Sequence, residues 1–541
     1  MRNISVLVLL LVQLGSAQAF EALDATDEFI REYSEMLGEG SKRAVAGQDI
    51  AAAALVSTFY ARRGFHAAWG DTPRLQALLQ LLRSAEEHGL NSDDYHYRVL
   101  STWTDESDPA QRAARDLIAT DALVRFGYHL HLGKIDPNQL DSDWNLTRTL
   151  SNDEPIAVLE RAVAAPVLAD FVAAELAPNG PLYAGMRTAL ARYRAIARAG
   201  GWPPMPAGPT LRPGERAERV AALRARLRVT DAELDAKTSD EHLFDTNLAA
   251  AVTRFQLRHG LDGDGSVGVR TLAALNVPVA ARIDQLRVNL ERTRWVFRDH
   301  EPRYLIVNIA GFRAYLVENR KVVWESRVQV GKPFRKTPVF KATMTYLVLN
   351  PTWTVPPTVL KDDLIPKIQR NPAFLAQNDM VLLDRAGRPV DINTVDVRSV
   401  TPEHFPYTVR QEPGPKNALG RVKFMFPNKH FIYLHDTPNR RLFDRSERTF
   451  SSGCIRVEHP ITLASLLLGN STQWSEAQIE EKLKTAKNET VKLKKPITVF
   501  LMYWTSEPDE HGDARFFGDV YALDQAVLHA LQEPFRLVAM R

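Results

Sequence analysis

One cysteine, Cys454, stands in a chain of 541 residues, and His435 precedes it by nineteen positions. A thiol attacks poorly until it loses its proton, and a neighbouring imidazole can take that proton. His435 closes the apolar run Phe431-Ile432-Tyr433-Leu434 and opens His435-Asp436-Thr437-Pro438, while the thiol sits in Ser451-Ser452-Gly453-Cys454-Ile455-Arg456-Val457. Gly453 allows close approach of backbone to a substrate. The amides of Gly453 and Cys454 could face a developing oxyanion, a donor being worth about 3 to 4 kcal/mol in other enzymes. Arg456 could pair bidentately with a substrate carboxylate.

Residue types alone leave other readings open. A lone thiol is reactive, inert and buried, or bridged to another molecule. Zinc on Cys454 with His430, His435 or His459 fits no common ligand spacing, so no metal and no cofactor is expected. The net charge of +3 gives no argument for nucleic acid, and 45% hydrophobic with 25% charged residues is ordinary for a globular protein. The length points to several domains.

The start of the chain reads as a segment for export. Arg2, the apolar run Ile4 to Leu14 and the small-x-small pattern Ala17-Gln18-Ala19 predict a signal peptide cleaved after Ala19; a buried N-terminal helix is the competing reading. No later stretch is apolar and long enough to span a bilayer. Export makes an unpaired cysteine more notable, because exported proteins usually pair their thiols.

The elements that must position the pair follow from periodicity. Residues 20–205 carry helical spacings, such as Leu75, Leu78, Leu79 and Leu82 and then Ala113 to Phe126, and predict an all-α scaffold. The Pro/Gly-rich stretch from Gly200 to Gly214 marks a boundary. Three short helices are expected over 212–280: one with Val220, Leu223 and Leu227 on one face, one capped by Thr246 and ended at Gly260, and Arg270 to Leu275. Asp262 to Asp264 lacks the ligands of a calcium loop. From Tyr304 the pattern alternates. Strands are expected at Tyr304 to Ile309, Arg313 to Val317, Lys321 to Val330, Met344 to Leu349, Phe424 to Phe426 and Phe431 to Leu434, with helices near Ile461 to Leu468 and Glu476 to Lys484. Residues 360–410 read as a long irregular connection, hence a lid. The fold class is therefore α+β and multidomain, mostly β over 300–505, with a C-terminal extension at 506–541.

Two stretches resemble known families. Val252-Thr253-Arg254-Phe255-Gln256, His259-Gly260-Leu261, Asp264-Gly265-Ser266-Val267-Gly268, Thr271-Leu272 and Leu275-Asn276 are similar to the three-helix peptidoglycan-binding domain. His435 to Pro438 with Ser451 to Val457 resembles the signature of the L,D-transpeptidase (YkuD) catalytic domain, as do Asn350 to Pro356 and Pro413 to Gly420. The layout looks like the large L,D-transpeptidases of Gram-negative bacteria. Many members have histidine two residues before the cysteine where this chain has Ser452, a form similar to the large subgroup.

The resemblance implies a periplasmic, wall-associated acyltransferase acting on peptidoglycan. Cys454 would attack the L-centre carbonyl of diaminopimelate in a tetrapeptide stem, and an amine of a second stem would take the thioester, giving a 3→3 cross-link. It implies His435 as base, oriented by the backbone carbonyl of Asp436; the Asp436 carboxylate is either a participant or a turn residue. Arg456, Ser451 and Ser452 would position stem and thiol. Tyr433 and Trp353 would line the donor cleft, or serve as packing. Carbapenems would acylate the thiol. The same thioester could instead go to water or to a lipoprotein, and a sortase is disfavoured by spacing. The reading from a different class is a non-catalytic wall-binding structural protein.

Overall fold

The computed structural model describes residues 23–534 apart from 41–42, 105–106, 142–143, 147–153, 235–239, 297–301, 397–400, 402–404, 470 and 510–511. The export segment expected at 1–19 lies outside the described residues. The chain falls into two compact units, one drawn from the stretches up to Arg83, Ser92–Phe126 and Asn152–Ala169, the other from Ser84–Asn91, Gly127–Ser151 and Asp170–Arg541. The segment expected as one helical domain, 20–205, is thus shared between them.

The first unit is helical, with Ala25–Gly38, Ala53–Arg62, Thr72–Arg83 and Pro155–Ala164 among its elements. Its buried polar centre is Asp116, which accepts hydrogen bonds from the Tyr60 hydroxyl and the Ala68 and Trp69 amides. A fully bonded buried carboxylate of this kind specifies packing.

In the second unit, helices Glu218–Arg228, Thr246–Arg258 and Val269–Leu275 enclose Val220, Leu223, Leu227, Leu248, Val252, Phe255 and Leu275. Asp245, not Thr246, caps the middle helix, its carboxylate accepting from the Leu248 amide at 2.8 Å. An anionic cap suits the positive end of the helix dipole. Gly260 follows that helix at φ +63°, the left-handed conformation expected of it. The Asp262 to Gly268 link is held by protein: Gln256 Nε2 donates to Asp264 and to the Ser266 carbonyl.

Among the described residues nine strands form one sheet. Numbered along the chain they are β1 Arg303–Asn308, β2 Arg313–Glu318, β3 Lys321–Gly331, β4 Phe340–Leu349, β5 Val422–Met425, β6 Leu434–His435, β7 Thr449–Ser451, β8 Ile455–Val457 and β9 Glu489–Met502. Their order is β7-β3-β8-β6-β5-β4-β9-β1-β2, and β3 also pairs with β2, which closes the sheet upon itself. Closure leaves few open edges. The interior is apolar, with Leu305, Val307, Leu316, Phe424, Leu434, Ile455 and Val499 all fully buried. Helices Pro460–Leu467 and Glu476–Lys484 pack on it.

The strand expected at 431–434 begins later. The Asn428 side chain accepts from the His430 and Ile432 amides and donates to the Phe426 and Ile432 carbonyls, holding Phe431 out of the ladder at φ +57°. The lid is likewise more ordered than an irregular connection. Short strands Trp353–Thr354, Met380–Leu383, Pro389–Val390 and Thr408–Gln411 make a separate sheet. Its core is Val355, Leu364, Ile368, Leu375, Leu382 and Val409. This is a capping lobe with its own packing.

Candidate active site

Strands β6 and β8 run parallel, with Leu434 opposite Ile455 and His435 opposite Arg456. Successive side chains alternate across a sheet. Leu434 and Ile455 point into the core, so His435 and Arg456 share the opposite face, with Tyr433 and Cys454 one step back along it. Strand β5 sets Lys423 opposite His435, and β3 sets Gln329 opposite Arg456. A polar row, Lys423–His435–Arg456–Gln329, therefore crosses four strands beside the thiol.

His435 is buried, and its Nδ1 meets the Asp436 carbonyl at 2.5 Å. A carbonyl only accepts, so Nδ1 carries the proton and the other ring nitrogen keeps its lone pair. Burial, with the Arg456 cation next, pushes the imidazole pKa down to about 3. The ring is neutral near pH 7 and can act as a base. The Asp436 carboxylate is turned elsewhere, accepting from the Arg421 amide at 2.9 Å and pairing with Arg440 at 2.8 Å.

Cys454 is half-buried, and burial pushes its thiol pKa up, against the Tyr433 N–H and hydroxyl and the cations Lys423 and Arg456. Its Sγ lies 3.8 Å from the Phe431 carbonyl. No direct Cys454–His435 hydrogen bond is present among the described residues; the two lie diagonally on adjacent strands. Catalytic bonds are often loose before substrate binds.

The loop before the thiol is braced from within. The Ser451 hydroxyl donates to the Cys454 carbonyl at 2.5 Å and accepts from the Gly453 amide at 3.1 Å. The Ser451 hydroxyl and the Gly453 amide are thereby committed to each other and to the Cys454 carbonyl, within the loop that carries the thiol. The Cys454 amide has no acceptor among the described residues. Gly453 has φ +118°, a conformation that L side chains rarely adopt. Ser452 is exposed, and its hydroxyl accepts from Arg335 at 3.0 Å.

Arg456 donates to Gln329 Oε1 at 3.1 Å, and no carboxylate pairs with it among the described residues. Its Nε and the Gln329 Nε2 are both buried donors without partners. A partly buried cation without a counter-charge is costly, so an incoming carboxylate would find a prepared partner. Tyr433 stacks under Lys423 Nζ, 3.9 Å from the ring centroid, and its hydroxyl faces both Cys454 and Trp353 of the capping lobe. Residue spacing had not singled out Lys423, although a lysine alternating with Val422 and Phe424 beside the histidine strand was a usable signal. Thr337 and Tyr521 carried none. Thr337 Oγ1 donates to the Gly453 carbonyl at 2.7 Å, and the Tyr521 hydroxyl both accepts from the Thr337 amide and donates to the Gly331 carbonyl.

No group of His, Cys, Asp or Glu suited to a metal ion occurs among the described residues, and no described helix is long and apolar enough to cross a membrane.

Comparison with known proteins agrees with this geometry. Residues 302–491 match the model of the L,D-transpeptidase catalytic domain, 216–275 that of a domain described as "Putative peptidoglycan binding domain", and 54–190 that of a scaffold domain. A Haemophilus influenzae protein named "Putative L,D-transpeptidase" is 36% identical over 243 residues, covering 45% of this chain and 48% of the relative. The chain thus spans about half the length of that curated relative. An L,D-transpeptidase structure from Xylanimonas cellulosilytica is 14% identical with a TM-score of 0.18, covering 55% of this chain and 99% of the other. A fused amidase/peptidase with a peptidoglycan-binding domain, from Clostridium acetobutylicum, is 12% identical with a TM-score of 0.15, covering 54% and 99%. Those scores are too low for a shared fold to be argued from them. The chain carries an L,D-transpeptidase catalytic domain at 302–491, preceded by a peptidoglycan-binding domain at 216–275.

Proposed function

We propose that the protein is an exported L,D-transpeptidase that forms 3→3 cross-links between peptidoglycan stems through a Cys454 thioester. The observation that carries this is the shared face of Cys454, His435 and Arg456 on two adjacent parallel strands, within a domain matching that enzyme class.

With both groups neutral at rest, the thiol proton passes to His435 as sulfur bonds to the donor carbonyl carbon. The Cys454 amide donates to the oxyanion that forms. The C–N bond to the terminal D-alanine then breaks as the imidazolium returns its proton to the leaving amine. The acceptor amine attacks the thioester, His435 takes its proton, and the C–S bond breaks to restore the thiol. Arg456, with the Gln329 amide beside it, holds a stem carboxylate. Trp353 and Tyr433 wall the donor side. The 216–275 domain keeps the enzyme on its polymer and raises the local concentration of stems. Carbapenem acylation of Cys454 and a periplasmic location belong to the same reading.

Tetrapeptide muropeptides incubated with the full chain should yield dimers by mass spectrometry, and none with Cys454→Ala. Tripeptides without dimers would assign an L,D-carboxypeptidase. Neither dimers nor tripeptides from the full chain would leave a non-catalytic wall-binding protein, and dimers from the alanine variant would remove the thiol from the reaction.

A further inference from the structure

The turn between β3 and β4, residues 332–337, touches the nucleophile loop at two backbone points: the Lys332 amide donates to the Ser451 carbonyl at 3.0 Å, and Thr337 to the Gly453 carbonyl. Its base is locked, since the Gly331 amide donates to Thr337 Oγ1 at 2.9 Å and Tyr521 bridges Gly331 and Thr337. At its tip stands Arg335. One nitrogen, Nη1, is shared between Ser452 Oγ at 3.0 Å and Asp363 Oδ2 at 2.5 Å, and Nη2 reaches Asp362 at 2.9 Å. Both acids belong to the turn Leu360–Leu364, at the entry to the capping lobe. The arginine side chain is only 15% exposed, while the two aspartates are 50% and 40% exposed.

We propose that Arg335 is a positioning residue that couples the seating of the capping lobe to the setting of the loop bearing Cys454. The guanidinium is a planar fork whose donors are fixed relative to one another. Its two acids and its serine cannot move independently while all three bonds stand. Lifting the lobe removes both carboxylates from a largely buried cation, and Ser452 then loses the donor that fixes it two residues before the thiol. Seating the lobe restores all three bonds together. Lysine, a single point charge, can keep an acid but not the fork.

The kinetic part of this inference rests on Cys454 being the nucleophile; the structural part does not. Cys454 is the sole thiol in the chain, so iodoacetamide reports on it alone. In the full chain, Arg335→Ala and the double variant Asp362→Asn/Asp363→Asn should each alkylate about three- to tenfold faster than wild type, the factor two half-exposed ion pairs are worth. Combining them should add nothing further. Salt should speed the wild type toward the rate of Arg335→Ala and leave that variant unchanged. Dimer formation should fall mainly in kcat, with Arg335→Lys intermediate and Ser452→Ala showing the same fall with the lobe still seated. Wild-type alkylation rates and salt responses in both the arginine and the aspartate variants, at unchanged melting temperature, would overturn the proposal. Dimers from Cys454→Ala, with alkylation of the other variants still tracking Arg335, would instead remove the functional reading and leave the coupling standing.

Discussion

Asp436 holds the His435 imidazole with its backbone carbonyl and spends its carboxylate on the Arg421 amide and Arg440. The two halves of one residue thus do different work, one orienting the imidazole and the other fastening the turn after β6. Asp436→Asn keeps the carbonyl and loses a charge-assisted bond to Arg440. We expect kcat/KM within a few-fold of wild type and a stability loss of about 1 to 3 kcal/mol. Urea unfolding alongside dimer formation checks this, and a collapse in rate without loss of stability would give the carboxylate a catalytic part.

The thiol and imidazole are both neutral at rest, because burial raises one pKa and lowers the other to about 3. An ion pair of thiolate and imidazolium would alkylate at a nearly constant rate across neutral pH. Here the rate should climb steadily with pH and go on rising above about 8.5, the ordinary cysteine value. A flat profile from mildly acidic pH upward would contradict the neutral pair. His435→Gln should remove dimer formation, since among the described residues no other imidazole or carboxylate lies in that row.

Lys423 and Arg456 are the two cations that lower the Cys454 pKa. Lys423 pairs across β5 with His435 and stacks on Tyr433. Lys423→Met removes charge while keeping a long apolar stem. The thiol pKa should move further up, seen as an alkylation profile displaced to higher pH, and cross-linking at pH 7 should drop. An unmoved profile would confine Lys423 to packing.

Much of this site could be read from residue order. The histidine and cysteine segments announced themselves because reactive types sit at the ends of apolar runs, and β1 to β4 followed from alternation. Other parts depend on contacts between residues far apart in sequence. Thr337 meets Gly453, and Tyr521 meets Thr337; no periodicity encodes such pairs. The capping segment was legible as a lid, but its sheet was not, because its strands are two to four residues long, too short to show alternation. The Thr246 cap failed because two good capping residues, Asp245 and Thr246, stand side by side.

The C-terminal extension reaches, through Tyr521, the turn that braces the Cys454 loop. Its hydroxyl donates to the Gly331 carbonyl at 2.6 Å and accepts from the Thr337 amide at 3.1 Å. Tyr521→Phe deletes both bonds and keeps the ring stacked on Tyr503. Loss of registry of the thiol by a fraction of an ångström should cost about 10-fold in kcat, since about 1 Å can cost 100-fold. KM should stay near wild type because Arg456 is untouched. A change confined to KM would show that the Tyr521 contacts shape the cleft and not the loop.

Acid should destabilise the second unit well before its carboxylates titrate. His88 and His435 are buried and His259 half-buried, all three with pKa values pushed down chiefly by loss of solvent. In the unfolded chain each takes a proton near pH 6.5. The unfolded state therefore binds more protons below that pH, and stability falls as pH drops from 6.5 toward the folded values. Each such histidine removes up to about 1.4 kcal/mol per pH unit. Calorimetry at pH 7 and pH 5 should show a lower melting temperature at pH 5, and replacing His259 by Gln should blunt the difference. Equal melting temperatures at the two pH values would mean that these imidazoles are solvated or already charged in the folded protein.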